Sequence, residues 1–448
     1  MPLESILNLI TLQYKNLRSM NVFLDSIGCR LNQSEIETIA NQFRAAGHCI
    51  VGSADEADLV VINSCTVTNA AAADSRQKIR LLGQAGNAKI VVTGCWATLN
   101  TQEAVEMAGV KWVVPNQHKD FLVAEVLSLP PSFFDPGIQV RQLLPGSHHR
   151  TRAFIKIQDG CDNACTFCVT RLARGKSRSR LESKVIDDVR AAVMGGAKEI
   201  VLTGVQSGSW GKDLTGETRL SDLVAAILKN CDIQRLRISS LEPWEVDDTF
   251  LALWQDKRMC RHLHLPLQSG SASVLRRMGR KISPDGFAQL VSNIRSTVPE
   301  IALTTDIMTG FPGETDHEFE TSKEFIRQMA FAGGHVFTYS AREGTPAAHY
   351  PDQVPYLERK ERNAQIRSIL AESAQVYRTQ FINRTLHVLW ESQEEVSSNK
   401  FSLSGLTDND IRVYAVADNA LWNQFSCVRL TEIVEGGING QVVELDIM

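Results

Sequence analysis

Three segments in the first third of the chain repeat one pattern, an apolar run that ends in cysteine and precedes a helix-like stretch. The runs are "NVFLDSIGC", "ADLVVINSC" and "AKIVVTGC", and they end in Cys29, Cys65 and Cys95. Buried apolar runs that alternate with helices indicate βαβ units and a parallel sheet. The cysteines recur at about the length of one such unit, roughly 30 residues. Each thiol is therefore expected just past the carboxyl end of a different strand, where open α/β sheets bind ligands.

A plainer interpretation makes these three thiols structural, because unpaired cysteine is a common core residue. The remaining cysteines outside the clusters lack this placement, and we expect them only to pack: Cys49, Cys231, Cys260 and Cys427. Ten cysteines in a chain without an export signal argue for reduced thiols and a cytoplasmic location, against a disulfide scaffold.

The middle of the chain again alternates strands and helices. Six apolar segments, from "AFIKIQDGC" to "GHVFTYSAREGT", predict a partial (βα)6 barrel whose loops after the strands carry the chemistry. The last part has short alternating strands separated by turns, which predicts a small antiparallel β-barrel. The predicted order is an extension at 1–19, an α/β domain at 20–130, a linker at 131–146, the partial barrel at 147–375 and the small barrel at 376–448.

Composition excludes several classes of protein. With 43% hydrophobic and 22% charged residues the chain is globular, and its 448 residues predict more than one domain. No apolar run approaches the 18 or so residues of a membrane span, so we expect no membrane partner. The net charge of −4 gives no global sign of nucleic-acid binding. Such binding would have to come from local basic patches.

The stretch "GCDNACTFC" after the first strand of the partial barrel concentrates three cysteines, Cys161, Cys165 and Cys168. Thiolates prefer soft metals, so the choice lies between zinc and an iron–sulfur cluster. A structural zinc site needs a fourth ligand, commonly from a second C-x2-C pair, and none follows here. Three thiolates on a four-iron cubane would leave one iron open to another ligand.

The C-x3-C-x2-C spacing is the signature of the radical S-adenosylmethionine superfamily, and the chain closely resembles the methylthiotransferases within it. The resemblance implies that the open iron binds the amino and carboxylate groups of S-adenosylmethionine. One-electron reduction then cleaves the cofactor to a 5′-deoxyadenosyl radical. "GCRLNQSE", "NSCTVT" and "TGCWAT" match the family's N-terminal motifs, which implies a second [4Fe–4S] cluster on Cys29, Cys65 and Cys95. The last domain corresponds to the family's RNA-binding TRAM domain.

Within the family, "GCRLNQSEIE", "RLARGKSRSR" and "HVFTYSAREGTPAA" are most similar to the branch that acts on N6-threonylcarbamoyladenosine at position 37 of tRNA. The alternatives are the branches that act on isopentenyladenosine in tRNA and on a ribosomal protein. A different kind of alternative is a non-catalytic iron–sulfur protein that binds RNA and senses redox state. The resemblance implies an anticodon loop as partner, an electron donor such as flavodoxin or ferredoxin, and a sulfur source.

Two further groups of residues are candidates for ligand contacts. Five basic residues beside the cysteine loop could bind phosphates of the anticodon loop, although a charge run is commonly a solvated face: Arg171, Arg174, Lys176, Arg178 and Arg180. By analogy with the family, five residues at strand ends would line the S-adenosylmethionine pocket: Gly204, Ser239, Glu242, Gln268 and Asp306. Strand-end capping and turn geometry would account for several of these residue types equally well.

One feature weakens the expected RNA role of the last domain. From residue 375 onward there are five basic and ten acidic residues. An acidic barrel is a poor electrostatic partner for phosphate, so the basic run near the cysteine loop would carry most of the affinity. His262 and His264 alternate along a strand, and we expect them to be hydrogen-bonded inside the barrel.

Overall fold

The computed structural model describes residues 18–86, 88–134, 140–145, 151–397 and 400–445. The chain divides into two compact units between His149 and Arg150. The predicted extension lies outside the described residues up to residue 17, and the predicted linker is described except for 135–139 and 146. The predicted domain boundaries stay predictions. In the described ranges, none of the helices combines the length and apolarity that a bilayer crossing requires.

The first unit is a parallel sheet flanked by helices. Its strands are β1 (Asn21–Ser26), β2 (Cys49–Ile50), β3 (Leu59–Ser64), β4 (Lys89–Gly94) and β5 (Val110–Val114). Its helices are α1 (Arg30–Ala45), α2 (Asn69–Ala85), α3 (Cys95–Leu99), α4 (Thr101–Glu106) and α5 (Leu122–Leu127). The strand order is β2-β1-β3-β4-β5, and every pairing is parallel.

Strand β3 explains why the sheet is covered on both faces. All six of its residues are buried. Val61 packs into one apolar cluster, whereas Val60 and Ile62 pack into another. Because side chains alternate along a strand, a continuous apolar run places hydrophobic surface on both faces, as parallel sheets require.

The second unit begins with six parallel strands in sequence order. They are β6 (Arg152–Lys156), β9 (Glu199–Thr203), β10 (Arg235–Ile238), β11 (His262–His264), β12 (Ala302–Thr309) and β13 (Gly333–Thr338). Strands β7 (Gln158–Asp159) and β8 (Arg178–Ser179) form a separate antiparallel pair. The helices are α6 (Thr170–Arg174), α7 (Glu182–Met194), α8 (Leu220–Asn230), α9 (Asp248–Leu251), α10 (Ala272–Arg277), α11 (Pro284–Thr297), α12 (Asp316–Met329) and α13 (Tyr356–Thr379).

These six strands make two three-stranded sheets, β6-β9-β10 and β11-β12-β13. A parallel bridge between Leu236 and Met259 connects them, and Cys260 N donates to Leu236 O at 2.9 Å. Outward-facing strand residues such as Leu202 share one core with Val189 of α7 and Val224 of α8. The predicted α/β class and the six-stranded partial barrel are confirmed.

The chain ends in a closed five-stranded barrel. Its strands are β14 (Thr385–Ser397), β15 (Lys400–Thr407), β16 (Arg412–Ala417), β17 (Phe425–Val434) and β18 (Gly437–Leu445). The order is β14-β15-β16-β18-β17. The sequence predicted an antiparallel barrel, and this holds except where β16 pairs with β18 in parallel. Helix α13 leads into this barrel and runs through residue 375, where the sequence predicted a boundary.

The five-stranded barrel contacts the amino ends of the six-stranded one. Arg235 donates to the carbonyl oxygens of Leu406 at 3.0 Å and His387 at 2.8 Å. Arg261 forms an ion pair with Asp408 at 2.7 Å. These contacts cover the amino ends of the strands, so the carboxyl ends are the edge at which a functional site can open.

Candidate functional site

The three-cysteine loop follows β7 and returns through α6 to β8. Gly160 has a φ of +72°, and a Cβ there would come within 2.0 Å of the Lys176 carbonyl oxygen, so only glycine fits. Cys161 N donates to Gly175 O at 3.1 Å, which closes the loop. The three cysteines lie on this one short loop, in which Cys168 N donates to Cys165 O at 3.2 Å.

The environment of these sulfurs suits a buried metal cluster. Asn163 N donates to Cys161 Sγ and Thr170 N donates to Cys168 Sγ, each at 3.4 Å. Burial raises the pKa of Cys161 to about 12 and also raises the pKa of Cys165, so without a cation these thiols stay protonated. A bound metal deprotonates coordinating thiols, and amide donors to sulfur are a usual feature of iron–sulfur sites.

The part of the chain that the structure describes holds no group of three His, Cys, Asp or Glu side chains close enough to share one metal ion. This does not conflict with a cubane, whose thiolate ligands bind different irons. Three cysteines on one loop fit a [4Fe–4S] cluster better than a single structural zinc ion, which takes four protein ligands.

Arg280 joins the cysteine loop to Glu242. Its side chain is only 2% exposed, and it donates to both carboxylate oxygens of Glu242, at 3.1 and 2.6 Å. The same guanidinium lies 3.7 Å from Cys165 Sγ, donates to Pro266 O at 2.7 Å and stacks over Trp244 at 4.8 Å. Sequence reasoning predicted Glu242 as a cofactor contact but missed Arg280. The available signal was the basic run "RRMGRK", which is far from the cysteines in sequence.

A second buried chain of contacts reaches Cys161 from the other side. Gln206 Oε1 accepts from Cys161 Sγ at 3.2 Å, and Gln206 Nε2 donates to Glu245 Oε1 at 2.7 Å. Burial raises the pKa of Glu245. A Cβ on Gly204 would come within 3.0 Å of Gln158 Oε1, which itself accepts from Gln206 N at 2.9 Å. The missing side chain at 204 therefore makes room for this network.

The other predicted pocket residues lie at the carboxyl ends of neighbouring strands. Ser239 follows β10 and is buried, with its amide donating to Leu202 O at 3.0 Å. Gln268 has a φ of +76°, and its amide donates to Asp306 O at 2.8 Å. Both hydrogen bonds involve only backbone atoms, so contact of these side chains with a cofactor stays a prediction.

The two histidines of β11 are hydrogen-bonded as expected. His262 Nε2 and His264 Nδ1 lie 2.9 and 3.0 Å from the Thr304 hydroxyl. His264 Nε2 is also 3.3 Å from Asp306 Oδ2, so the carboxylate of Asp306 faces an imidazole.

The basic run is divided between the surface and the interior. Arg171, Lys176 and Arg178 are exposed, and among the described residues none of them forms an ion pair. Arg174 is 2% exposed and binds Asp159 at 2.9 Å, which corrects its predicted RNA-binding role. Its position in the last turn of α6 turns it inward. Arg180 is partly exposed and paired with Asp188.

The three cysteines of the first unit follow adjacent strands β1, β3 and β4, as the sequence predicted. Cys29 caps α1, Cys65 follows β3, and Cys95 opens α3. A Cβ on Gly28 would lie 2.5 Å from Cys65 Sγ, so the Cys29 loop packs against the second thiol. Asn116 Nδ2 donates to Cys95 Sγ at 3.6 Å.

A buried lysine lies beneath these loops. Lys119 Nζ contacts Glu35 Oε2 at 2.7 Å and Asn63 Oδ1 at 3.1 Å, and its side chain is 2% exposed. Asn63 Nδ2 donates to Asn32 O at 3.0 Å, and Asn32 Nδ2 donates to Ser64 O at 3.2 Å. This network fixes the loops that carry the first two thiols. Sequence reasoning missed Lys119, since nothing in "NQHKDF" marks a buried charge.

Two family models match the chain. One, described as the uncharacterized protein family UPF0004, matches residues 21–115, and the radical SAM superfamily model matches residues 155–326. The first range contains three of the predicted cluster ligands, and the second contains the other three.

Curated relatives match over nearly the whole chain. The threonylcarbamoyladenosine tRNA methylthiotransferase MtaB of Bacillus subtilis is 35% identical over 88% of this chain and 89% of its own length. The protein of the same name from Thermotoga maritima is 35% identical over 93% and 96%. The tRNA-2-methylthio-N6-dimethylallyladenosine synthase of Geobacillus kaustophilus is 30% identical over 95% and 83%.

A solved structure shares the fold. The radical S-adenosylmethionine methyltransferase TsrM from Kitasatospora setae, with cobalamin and a [4Fe–4S] cluster bound, aligns with a TM-score of 0.57. The alignment covers 74% of this chain and 77% of that chain at 14% identity.

Proposed function

This chain belongs to the radical S-adenosylmethionine tRNA methylthiotransferases, and we propose that its substrate is N6-threonylcarbamoyladenosine at position 37 of tRNA. The observation that carries the proposal is the match to two relatives named for that nucleoside, at 35% identity over 88% and 93% of the chain. The relative named for dimethylallyladenosine is less similar, at 30%.

The proposed cofactors are S-adenosylmethionine and two [4Fe–4S] clusters, one on Cys161, Cys165 and Cys168 and one on the three cysteines of the first unit. When bound and reduced, the first cluster with S-adenosylmethionine supplies a carbon radical that activates C2 of the adenine. The second would hold or supply the sulfur. Support comes from three half-buried thiols on one short loop, with Arg280 next to Cys165, in one unit and from three thiols that follow adjacent strands in the other.

The protein's own residues bind and orient in this scheme. The positive charge of Arg280, 3.7 Å from Cys165 Sγ, offsets the negative charge of bound thiolates, and its fork on Glu242 fixes that carboxylate at the edge of the site. Gln206 accepts a hydrogen bond from the Cys161 thiol through its side-chain oxygen. Ser239, Gln268 and Asp306 stay proposed cofactor contacts, and Gly204 keeps space for the Gln158–Gln206 contact behind the loop.

We further propose that Arg171, Lys176 and Arg178 bind phosphates of the anticodon loop. They are exposed next to the cysteine loop, and phosphate contacts commonly position a nucleic acid. Arg180 contributes less, since Asp188 already neutralises it. An electron donor such as flavodoxin or ferredoxin, a sulfur source and a cytoplasmic location complete the proposal.

Nucleoside mass spectrometry of tRNA from cells with and without the gene tests the substrate. We expect 2-methylthio-N6-threonylcarbamoyladenosine to disappear without the gene and to return with a plasmid copy. Unchanged levels would contradict the assignment, and loss of the 2-methylthio isopentenyladenosine instead would identify the other branch. Formation of 5′-deoxyadenosine by the reduced protein separates an enzyme from a non-catalytic redox sensor.

A further inference from the structure

The inner face of the β11-β12-β13 sheet carries aromatic side chains that the fold leaves exposed. On β13, a Cβ at Gly334 would lie 3.0 Å from Leu370 of α13, so this position faces the helix. Because side chains alternate along a strand, His335 and Phe337 point to the opposite face, into the partial barrel. His335 is exposed, and Phe337 is 37% exposed.

The neighbouring strand confirms this direction. His335 pairs with Asp306 and Phe337 pairs with Met308 in the parallel register of β12 and β13. Asp306 and Met308 are partly exposed, whereas Ile307 between them is buried in the core against the helices. The exposed rings therefore share one face with the Asp306 carboxylate.

These rings form a row across the sheet. The ring centroids of His264 and His335 are 6.4 Å apart, and those of His335 and Phe337 are 6.3 Å apart. Such spacings are typical of aromatic neighbours. The row combines one apolar ring with two imidazoles, and His264 also contacts the carboxylate of Asp306.

The row lies near the cysteine loop but not in it. Tyr339 follows β13, and its ring is 5.4 Å from Phe311, which is 6.4 Å from Phe167 inside the cysteine loop. Phe337 is two residues earlier, roughly 6–7 Å farther along the strand. The exposed rings are therefore near the cysteine loop without belonging to the ring contacts that reach it.

We propose that His335 and Phe337 form the platform on which the target adenine of tRNA stacks, with the imidazole of His335 facing its polar N6 substituent and His264 held beside it by Thr304 and Asp306. The inference rests on the proposed function, because it takes the substrate to be a tRNA adenosine derivative. Enzymes that modify a base take it out of the stack and replace the lost stacking with aromatic side chains. An imidazole donor on His335 suits a substituent with carbonyl and carboxylate oxygens better than an apolar isopentenyl group.

The competing occupant is the other purine of the reaction, the adenine of S-adenosylmethionine. Both would stack on a ring, so the experiment must separate them. Cleavage of S-adenosylmethionine without tRNA requires the cofactor alone, whereas the KM for tRNA reports the substrate base.

The test compares Phe337→Leu, Phe337→Tyr and His335→Ala with Val336→Ala, a control on the same strand whose side chain faces the helix. We expect Phe337→Leu to raise the KM for tRNA by about tenfold or more, the range of one lost stacking contact. His335→Ala should raise it by a smaller factor, and Phe337→Tyr should restore it to within about twofold. Cleavage of S-adenosylmethionine without tRNA should be unchanged in all four.

An unchanged KM in both Phe337→Leu and His335→Ala would overturn the platform. If Phe337→Leu slows tRNA-independent cleavage of S-adenosylmethionine by as large a factor as it raises the KM for tRNA, the ring contacts the cofactor's adenine. That result would also overturn the platform. A wild-type enzyme that modifies only isopentenyladenosine would instead contradict the proposed function, and the same KM comparison on that tRNA would still decide whether Phe337 stacks the base.

Discussion

At the amino ends of the six-stranded barrel, buried charges are paired with one another, whereas at its carboxyl ends thiols and exposed rings line an open edge. Glu199 is fully buried where β9 begins and accepts from Arg237 at 2.7 Å. Burial opposes ionisation of Glu199, but Arg237, Arg152 and Arg235 outweigh it and lower its pKa. The amino ends of the six-stranded barrel therefore attach the five-stranded barrel, whereas the carboxyl ends carry the proposed catalytic site.

This comparison also explains the acidic last domain. Three of its ten acidic residues are used in ion pairs with arginines of the six-stranded barrel. Glu391 pairs with Arg152, Asp408 with Arg261, and Asp410 with Arg237. The acidic excess therefore reflects, in part, contact with the basic end of the neighbouring barrel, and it is weaker evidence against RNA binding than the sequence suggested.

The largest expected effect separates the two groups of cysteines. Cys161→Ala should abolish 5′-deoxyadenosine formation, because it removes a proposed ligand of the cluster that binds S-adenosylmethionine. Cys65→Ala should spare that cleavage and stop sulfur insertion into tRNA. Liquid chromatography of both products measures the two reactions. Equal loss of both reactions in two folded variants would contradict the separation of roles, and Cys231→Ala provides a control in the core.

At the amino ends of the six-stranded barrel, we expect a substitution to lower the stability of the protein. Glu199→Gln leaves buried arginines without their carboxylate, a change that typically costs about 3–5 kcal/mol in the free energy of unfolding. The exposed pair of Glu324 and Arg327 provides the control, because Glu324→Gln should cost no more than about 1 kcal/mol. Urea unfolding followed by circular dichroism measures both. Similar small losses would mean that the buried network does not hold the barrels together.

The pH dependence of that network has a defined sign. The pKa of Glu199 is lowered in the folded protein, so its stabilisation is complete above the unfolded pKa of about 4.3 and is lost as the pH falls towards the folded pKa. Glu199→Gln should flatten this acid-side loss in an unfolding titration. An identical acid limb in the variant would assign the loss to other carboxyl groups.

At the open end, Arg280→Met should lower the rate of 5′-deoxyadenosine formation by about tenfold to a hundredfold, the usual weight of a charge-assisted hydrogen bond. Removal of a positive charge near the thiolates should also shift the midpoint potential of the cluster to more negative values. Arg280→Lys keeps the charge and should retain most of the potential. A slower reaction with an unchanged potential in both variants would indicate a purely structural role.

The smallest effect concerns the exposed basic residues. The triple change of Arg171, Lys176 and Arg178 to Gln should reduce the slope of log affinity for tRNA against log salt by roughly 0.7–0.9 per charge. Lys229→Gln with Lys257→Gln, on the outer helix layer and near the amino ends, is the control. An equal loss of slope per removed charge in both sets would mean that tRNA binding is diffuse.

The comparison shows what sequence can and cannot predict. The strands and both groups of cysteines followed from local pattern, because an apolar run and a cysteine at its end are adjacent in sequence. Arg280 was missed because only the fold brings it to Cys165, and Lys119 was missed because only the fold brings it to Glu35 and Asn63. Arg174 was misplaced because a five-residue helix turns its last arginine inward, and sequence spacing within a basic run does not reveal which side faces solvent.

The pairing of β16 with β18 could not be predicted for a similar reason. Short alternating strands predict a barrel, but they do not predict which strands pair to close it. That pairing depends on the path of the last connection. The acidic partners of Arg152 and Arg237 are likewise distant in sequence, because Glu391 lies in β14 and Asp410 lies in the turn between β15 and β16.

The reduced protein with all three first-unit cysteines replaced by alanine offers the most direct test, through electron–nuclear double resonance with nitrogen-15-labelled S-adenosylmethionine. Coupling between the labelled amino nitrogen and the remaining cluster is the result that an iron without a protein ligand predicts. A four-iron cluster that shows no such coupling, and whose irons all carry protein ligands, would contradict the account at its root.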